Sequence, residues 1–122
     1  MTTTLPKLDE FTFAYIEAAL WSSLDDDDEP MDKHYSIEDI HVFTLEEMIA
    51  DCHSFQEKAG DRLHNNWEQA GHDFWLTRNR HGCGFWDGFW DKELGKELTD
   101  LSHSFGEYDL YVGNDDLIYG YP

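Results

Sequence analysis

Apolar residues recur at helical spacing in three parts of the chain. The first stripe predicts a helix over residues 8–24. A second helix is predicted over residues 44–63, because Thr44 and Glu47 form a capping box ahead of a further apolar stripe. A third stripe predicts a helix over residues 91–104. Residues typical of the three stripes are Phe13, Ile16 and Leu20, then Leu45, Met48 and Phe55, then Leu94, Leu98 and Leu101.

Two other segments favour strands. Residues 72–87 read HDFWLTRNRHGCGFWD, and this aromatic run interrupted by glycine predicts a β-hairpin with its turn at Asn79. Residues 109–112 and 117–121, joined by a turn at 113–116, predict a last hairpin. The order ααββαββ indicates an α+β fold, with a four-stranded antiparallel sheet of two hairpins and the helices packed on one face. At 122 residues, the chain is expected to form a single domain, 1–122.

The predicted central hairpin has two different faces. With its turn at residues 79–80, side-chain alternation puts Trp75 and Trp86 on one face, where Gly84 lies opposite Trp75. Two tryptophans beside glycine would form an aromatic face suited to stacking a base or receiving a partner's side chain. The alternative is that Trp75 folds over the glycines and packs against the N-terminal segment, which is the commoner fate of tryptophan.

Negative charge dominates the composition. The chain has 27 acidic residues and 8 Lys and Arg, for a net charge of −19. Such a surface repels nucleic acid, because binding it requires neutralising phosphates with Lys and Arg, and it favours basic partners instead. We expect residues 25–29 to form an exposed acidic loop. The acids expected to contact a partner are Asp25, Asp26, Asp27, Asp28, Glu29, Asp32, Glu38, Asp39, Glu46 and Glu47.

The sequence also indicates where the chain works. Residues 1–6 lack a basic region followed by an apolar run, so no signal peptide is expected. No stretch approaches the roughly 18 apolar residues that a membrane span needs, so no membrane partner is expected. Cys52 and Cys83 lack CxxC spacing and are predicted to be free thiols in a reducing cytoplasm, with Cys52 an inert core residue.

Catalytic and metal-binding patterns are weak. His72, His81, Cys83 and Asp87 would share one face of the hairpin, but they lie further apart than the paired ligands of zinc sites, so no metal or other cofactor is expected. Glu17 lies near the first apolar stripe, where a structural role is favoured over a catalytic one. There is no phosphate-binding glycine loop and no GxSxG elbow. The chain is not expected to be an enzyme.

The segment GHDFWLTRNRHGCGFWDG at 71–88 resembles a motif of small tailed-bacteriophage proteins, G-H-D-F-W-L-T-R-N-G-H-G-x-G-F-W-D. The resemblance extends over residues 15–32, 35–40, 51–56 and 109–120. It implies a phage origin and expression in the host bacterial cytoplasm, and it implies no catalytic residue. Arg80 replaces the glycine of the motif's Asn-Gly turn, and residues 41–43 replace a more polar, proline-containing stretch.

Two functions from different classes fit these observations. The first is a DNA-mimic-type inhibitor, in which spaced carboxylates imitate phosphates and occupy a basic host nucleic-acid-processing or defence protein. The second is a protein that binds a nucleotide signal through the Trp75/Trp86 face, with Arg78 or Arg80 at its edge. Alternatively, the acids only form a solvated coat that keeps the chain soluble.

Overall fold

The computed structural model describes residues 8–81 and 83–122. Within these residues the fold is helix-rich α+β, with one two-stranded antiparallel sheet. The prediction of a four-stranded sheet of two hairpins is therefore wrong. The helices are α1 (Glu10–Ser22), α2 (Val42–Ala59), α3 (Trp67–Arg78) and α4 (Lys92–Ser104), and the strands are β1 (Asp109–Val112) and β2 (Ile118–Tyr121). Short 3₁₀ turns cover Met31–Lys33, Ile37–Asp39 and Gly60–Leu63.

Helix α1 lies close to its predicted position. The Asp9 carboxylate caps its N-terminus by accepting from the Thr12 amide at 2.8 Å. The helix packs mainly against α3, and the two backbones approach closely because Gly71 has no side chain. A Cβ at Gly71 would collide with the carbonyl of Phe11. A glycine inside α3 therefore permits the main helix–helix contact of the fold.

Helix α3 occupies the first half of the segment predicted to be a hairpin. The structure places residues 67–78 in a helix and residues 79–81 and 83–91 in the loop that follows. From Ala70 to Arg78 every side chain except His72 is buried. A helix buried on nearly all sides has no polar face, so its sequence lacks the stripe by which amphipathic helices are detected. Tertiary packing has overridden the strand preference of this aromatic run.

Helix α2 begins two residues before its predicted start, and the predicted capping box does not form. His41 Nδ1 accepts from the Phe43 amide at 3.2 Å and serves as the cap. The two residues of the supposed box bind the C-terminal segment instead. Thr44 Oγ1 accepts from the amide of Gly120 at 3.1 Å, and Glu47 Oε1 accepts from Tyr108 Oη at 2.9 Å. These bonds attach the start of α2 to the hairpin.

The C-terminal hairpin and α4 confirm the sequence predictions. β1 and β2 pair antiparallel, with Tyr111 opposite Tyr119 and Val112 opposite Ile118. Val112 and Ile118 face the core, whereas Tyr111 and Tyr121 are exposed. A parallel bridge between Ile40 and Ile118 fixes the segment before α2 along the hairpin. The sheet thus leaves one face uncovered in the described part of the chain.

Aromatic rings fill the core between the helices. Phe55 of α2 stacks on Phe74 of α3 with ring centroids 4.2 Å apart, and Phe11 of α1 stacks on Phe55 at 5.6 Å. Phe85, in the loop before α4, completes this stack against Phe55 at 5.7 Å. None of the described helices combines the length and the apolar character that crossing a membrane requires.

Candidate functional site: an acidic surface and an aromatic row

The acidic loop at residues 25–29 is folded around its first member. Asp25 is only 8% exposed, and its Oδ1 accepts from the amides of Asp27 at 2.9 Å and Glu29 at 3.1 Å. The expectation that the whole run is exposed is therefore wrong for Asp25. A carboxylate that binds backbone amides two and four residues ahead forms a local turn. Asp25 thus shapes the loop and is not free to contact a partner.

The other predicted acids divide into exposed and structural groups. The exposed ones are Asp26, Asp27, Asp28, Asp32, Glu38, Glu46 and Glu47. Glu29 is half-buried and pairs with Lys33 at 2.7 Å. Asp39 is also half-buried, and its Oδ2 accepts from the Ser36 amide at 2.8 Å to close a capping box on the 3₁₀ turn. Most of the predicted acids are therefore accessible, while four, including the exposed Glu47 that accepts from Tyr108, have structural partners.

Negative charge from both the acidic loop and the hairpin turn affects one side chain, Tyr35. Desolvation raises the pKa of the Tyr35 phenol above its ordinary value, and the negative charges of Asp116, Asp25, Asp26 and Asp27 raise it further. Negative charge opposes the ionisation of a phenol, so all four carboxylates disfavour the phenolate of Tyr35. Asp116 is about 90 residues from the acidic loop in the sequence.

We call the resulting set the acidic surface. It comprises the exposed Asp26, Asp27, Asp28 and Asp32, which precede Tyr35 by three to nine residues, together with Asp116 of the hairpin turn, whose charge also acts on Tyr35. Lys33 is the only Lys or Arg between residues 8 and 57, and its ammonium is paired with Glu29. Little positive charge is therefore available nearby to offset the acidic surface.

An exposed aromatic row lies beside the acidic surface on the open face of the hairpin. Its rings contact in sequence: Phe43 with His41 at 5.2 Å, His41 with Tyr119 at 4.9 Å, Tyr119 with Tyr111 at 5.7 Å, and Tyr111 with Tyr121 at 5.6 Å. Phe43 is 69% exposed. The row reaches the turn of the hairpin, where Tyr119 Oη donates to Asp115 Oδ2.

Sequence reasoning missed this row, although the signal was present. The hairpin itself is predicted, and alternation along its strands places Tyr111, Tyr119 and Tyr121 on one face. The contributions of His41 and Phe43 required the tertiary contact between residue 40 and β2.

The predicted Trp75/Trp86 aromatic face does not form. Trp75 lies on α3, is 2% exposed, and donates from Nε1 to Ser22 Oγ at 2.8 Å. It also contacts Tyr15 edge-on at 5.3 Å, so it packs against α1 as the alternative interpretation proposed. Trp86 lies in the loop before α4 and is 47% exposed. A helix and a loop do not share the alternating geometry of paired strands, so the two rings are separated.

The other chemistry candidates are also rearranged. His72 lies on α3, where its ring stacks on Trp21 at 5.8 Å, while Asp87 accepts from the Gly84 amide instead of pairing with His72. Over residues 8–81 and 83–122, no group of three or more His, Cys, Asp or Glu is placed to hold a metal ion. Glu17 is exposed and lies outside the core. Cys52 is fully buried, and desolvation raises the pKa of its thiol well above the ordinary value.

Comparisons with protein-family models, curated proteins and solved structures give no match to this chain.

Proposed function

We propose that this chain is a phage-encoded, non-enzymatic inhibitor that acts in the host bacterial cytoplasm by DNA mimicry. Its acidic surface would occupy the basic groove of a host nucleic-acid-processing or defence protein. The observation that carries the proposal is the exposure of Asp26, Asp27 and Asp28 on a loop that the hydrogen bonds of Asp25 fold into a turn. These three carboxylates are consecutive in the chain and accessible to a partner.

The spacing and order of these carboxylates favour mimicry over a diffuse coat. Phosphates along one DNA strand recur about every 3.4 Å of helix axis, and the loop presents carboxylates on three successive exposed residues, Asp26, Asp27 and Asp28. The two hydrogen bonds of Asp25 hold the loop in one conformation. A pre-ordered loop loses less conformational entropy on binding than a flexible acidic tail does.

The aromatic row would supply binding affinity, to which complementary charge alone contributes little. Complementary charge mainly accelerates association, whereas buried aromatic anchors contribute most of the affinity of an interface. Phe43 and Tyr111 of this row are 69% and 46% exposed, and the row reaches the hairpin turn through Tyr119. We expect a basic partner to cover both the acidic surface and this row, with the charges steering its approach.

The first test is capture from bacterial lysate by the immobilised chain, with washes of increasing salt and identification by mass spectrometry. The captured protein is then purified and tested for binding to the chain and to duplex DNA. We expect a basic DNA-binding protein whose affinity for the chain falls steeply with salt, because charge pairing dominates such contacts. Failure to obtain such a protein, or a salt-independent interaction, would contradict the proposal.

A pair of charge-matched variants makes the test specific. Replacing Asp26, Asp27 and Asp28 with Asn removes three negative charges from the acidic surface and leaves Asp25 in place. The control replaces three exposed acids elsewhere, Glu57→Gln, Asp61→Asn and Glu93→Gln. We expect the first variant to lose affinity at least tenfold more than the control, since each 1.4 kcal/mol of lost interaction is about tenfold. Equal losses would indicate that only net charge matters.

A further inference from the structure

The loop between α3 and α4 holds an exposed tryptophan between two buried anchors. Phe85 is fully buried, and its amide donates to Thr77 Oγ1 at 3.1 Å. Trp90 is 7% exposed and donates from Nε1 to Asp73 Oδ2 at 2.7 Å. Trp86 lies between them in the chain and is 47% exposed. The loop therefore presents one indole ring to solvent from a backbone fixed at both sides.

Trp86 lines two adjacent grooves, of about 440 Å³ and 400 Å³. These volumes fall within the range of small-molecule sites. Lys92 and Lys96 line the first groove, and Arg80 with two histidines lines the second. Three of the eight Lys and Arg of the chain thus lie around one exposed aromatic ring.

The absence of acids from these grooves is the informative feature. The chain has 27 acidic residues, yet none of the described residues that line either groove is Asp or Glu. Lys96 does pair with Asp100 at 3.2 Å, but both side chains are largely exposed and such pairs are weak. The grooves are therefore a cationic and aromatic island on an acidic protein, well suited to an aromatic anion.

Most polar side chains of this island come from one face of α4 and from Arg80. Lys92, Lys96, Thr99 and His103 follow one another at intervals of three and four residues on α4, so they share a face. Arg80 follows the end of α3 with φ +58°, a left-handed conformation that costs a residue with a side chain about 1–2 kcal/mol. Glycine would adopt this conformation without that cost.

We propose that the Trp86 grooves bind a mononucleotide, with the base stacked on Trp86 and the phosphate held by Lys92, Lys96 or Arg80. This site is separate from the acidic surface and does not depend on the proposed inhibition. Stacking on an aromatic ring accepts any base, and flanking cations neutralise a phosphate. A mononucleotide is favoured over a nucleic-acid strand, because a long polyanion would meet the repulsion of the whole chain.

The test is isothermal titration of the full chain with AMP, alongside inorganic phosphate, adenosine and a ten-nucleotide oligothymidine. We expect AMP to bind at least tenfold more tightly than phosphate or adenosine, because each supplies only half of the contacts. Trp86→Ala should weaken AMP binding tenfold or more, whereas Trp21→Ala, at a similarly exposed tryptophan, should leave it unchanged. Circular dichroism establishes that each variant is folded.

Three results would overturn the proposal. They are AMP binding no tighter than phosphate, AMP binding unaffected by Trp86→Ala in a folded variant, and tighter binding of the oligonucleotide than of AMP. Arg80→Gly provides a separate check. It should raise the melting temperature by relieving the left-handed strain and yet weaken AMP binding, a combination that a purely structural Arg80 would not produce.

Discussion

Arg78 Nη1 donates to Asp51 Oδ2 at 2.8 Å and joins α3 to α2 from inside the core, where the arginine is 3% exposed. The same nitrogen donates to Tyr15 Oη at 3.0 Å. Nε and Nη2 donate to the carbonyl oxygens of Gly106 and Phe105 at 2.8 and 3.1 Å. The guanidinium therefore connects three helices and the segment before β1. Its pKa stays above the ordinary value, because Tyr15 and Asp51 outweigh the desolvation that would lower it.

Arg78→Lys should destabilise the fold strongly. A single ammonium cannot reproduce a planar fork with four separate acceptors, so buried acceptors would lose their partners. We expect a loss of about 3 kcal/mol or more in the free energy of unfolding, measured by urea denaturation. Asp51→Asn should cost less, about 1 kcal/mol, since Asp51 is partly exposed and asparagine can still accept. An Arg78→Lys variant as stable as the Asp51→Asn variant would contradict this account.

Arg78 also illustrates why α3 escaped detection in the sequence. Arg78, and Asp73 five residues earlier, are polar residues that the helix buries with dedicated partners. Burial of charged residues breaks the apolar pattern on which helix prediction depends. Helices α2 and α4 each keep a polar, solvent-facing side, so their apolar spacing could be recognised. The α1 stripe predicted the helix but included Phe13, which is 48% exposed. The last hairpin was predictable from its turn residues and its alternation.

The Asp9 cap predicts a pH dependence. Partial burial raises the pKa of the Asp9 carboxyl, but hydrogen bonds from Thr12 and Gln56 and the charge of His53 outweigh it, so the pKa lies below its ordinary value. A lowered folded-state pKa contributes stability above the unfolded pKa of about 4 and loses it as pH falls through the folded value.

Asp9→Ala should therefore cost about 0.5–2 kcal/mol at pH 7, and the difference from the natural chain should shrink below pH 4. Asp9→Asn, which keeps a capping oxygen, should retain most of the stability at pH 7 and remove the acid-dependent part. Urea denaturation of the three proteins at pH 7 and pH 3 measures both effects. If the stability difference between Asp9→Ala and the natural chain stays constant between pH 7 and pH 3, the result would count against the charged cap.

The effect of Asp116 on the pKa of Tyr35 can be tested without any partner. Asp116→Asn should lower the pKa of the Tyr35 phenol toward its ordinary value, because one of the charges that oppose the phenolate is removed. Asp109→Asn, an exposed acid at the start of β1, should leave it unchanged. NMR titration of ¹³C-labelled tyrosine measures the pKa, with Tyr35→Phe to assign the signal. Equal effects of the two substitutions would indicate that Asp116 does not adjoin Tyr35.

The acidic surface was only partly predictable from the sequence. The density of acids between residues 25 and 47 is evident from composition, but the inward turn of Asp25 depends on backbone amides that only the folded loop presents. No feature of the sequence groups Asp116 with these acids, because its effect on the pKa of Tyr35 depends on the tertiary fold. The prediction that Trp75 lies on an aromatic face was wrong because the secondary structure predicted for residues 71–78 was wrong.

The most direct test of DNA mimicry is displacement of a fluorescent duplex from the captured host protein, followed by anisotropy. We expect the natural chain to release the duplex to the extent that the chain itself binds the host protein. This release should diminish as the salt concentration rises. The variant with Asn at residues 26–28 should displace much less than the Glu57, Asp61 and Glu93 control. A host protein that holds the duplex and this chain at the same time would contradict the central claim.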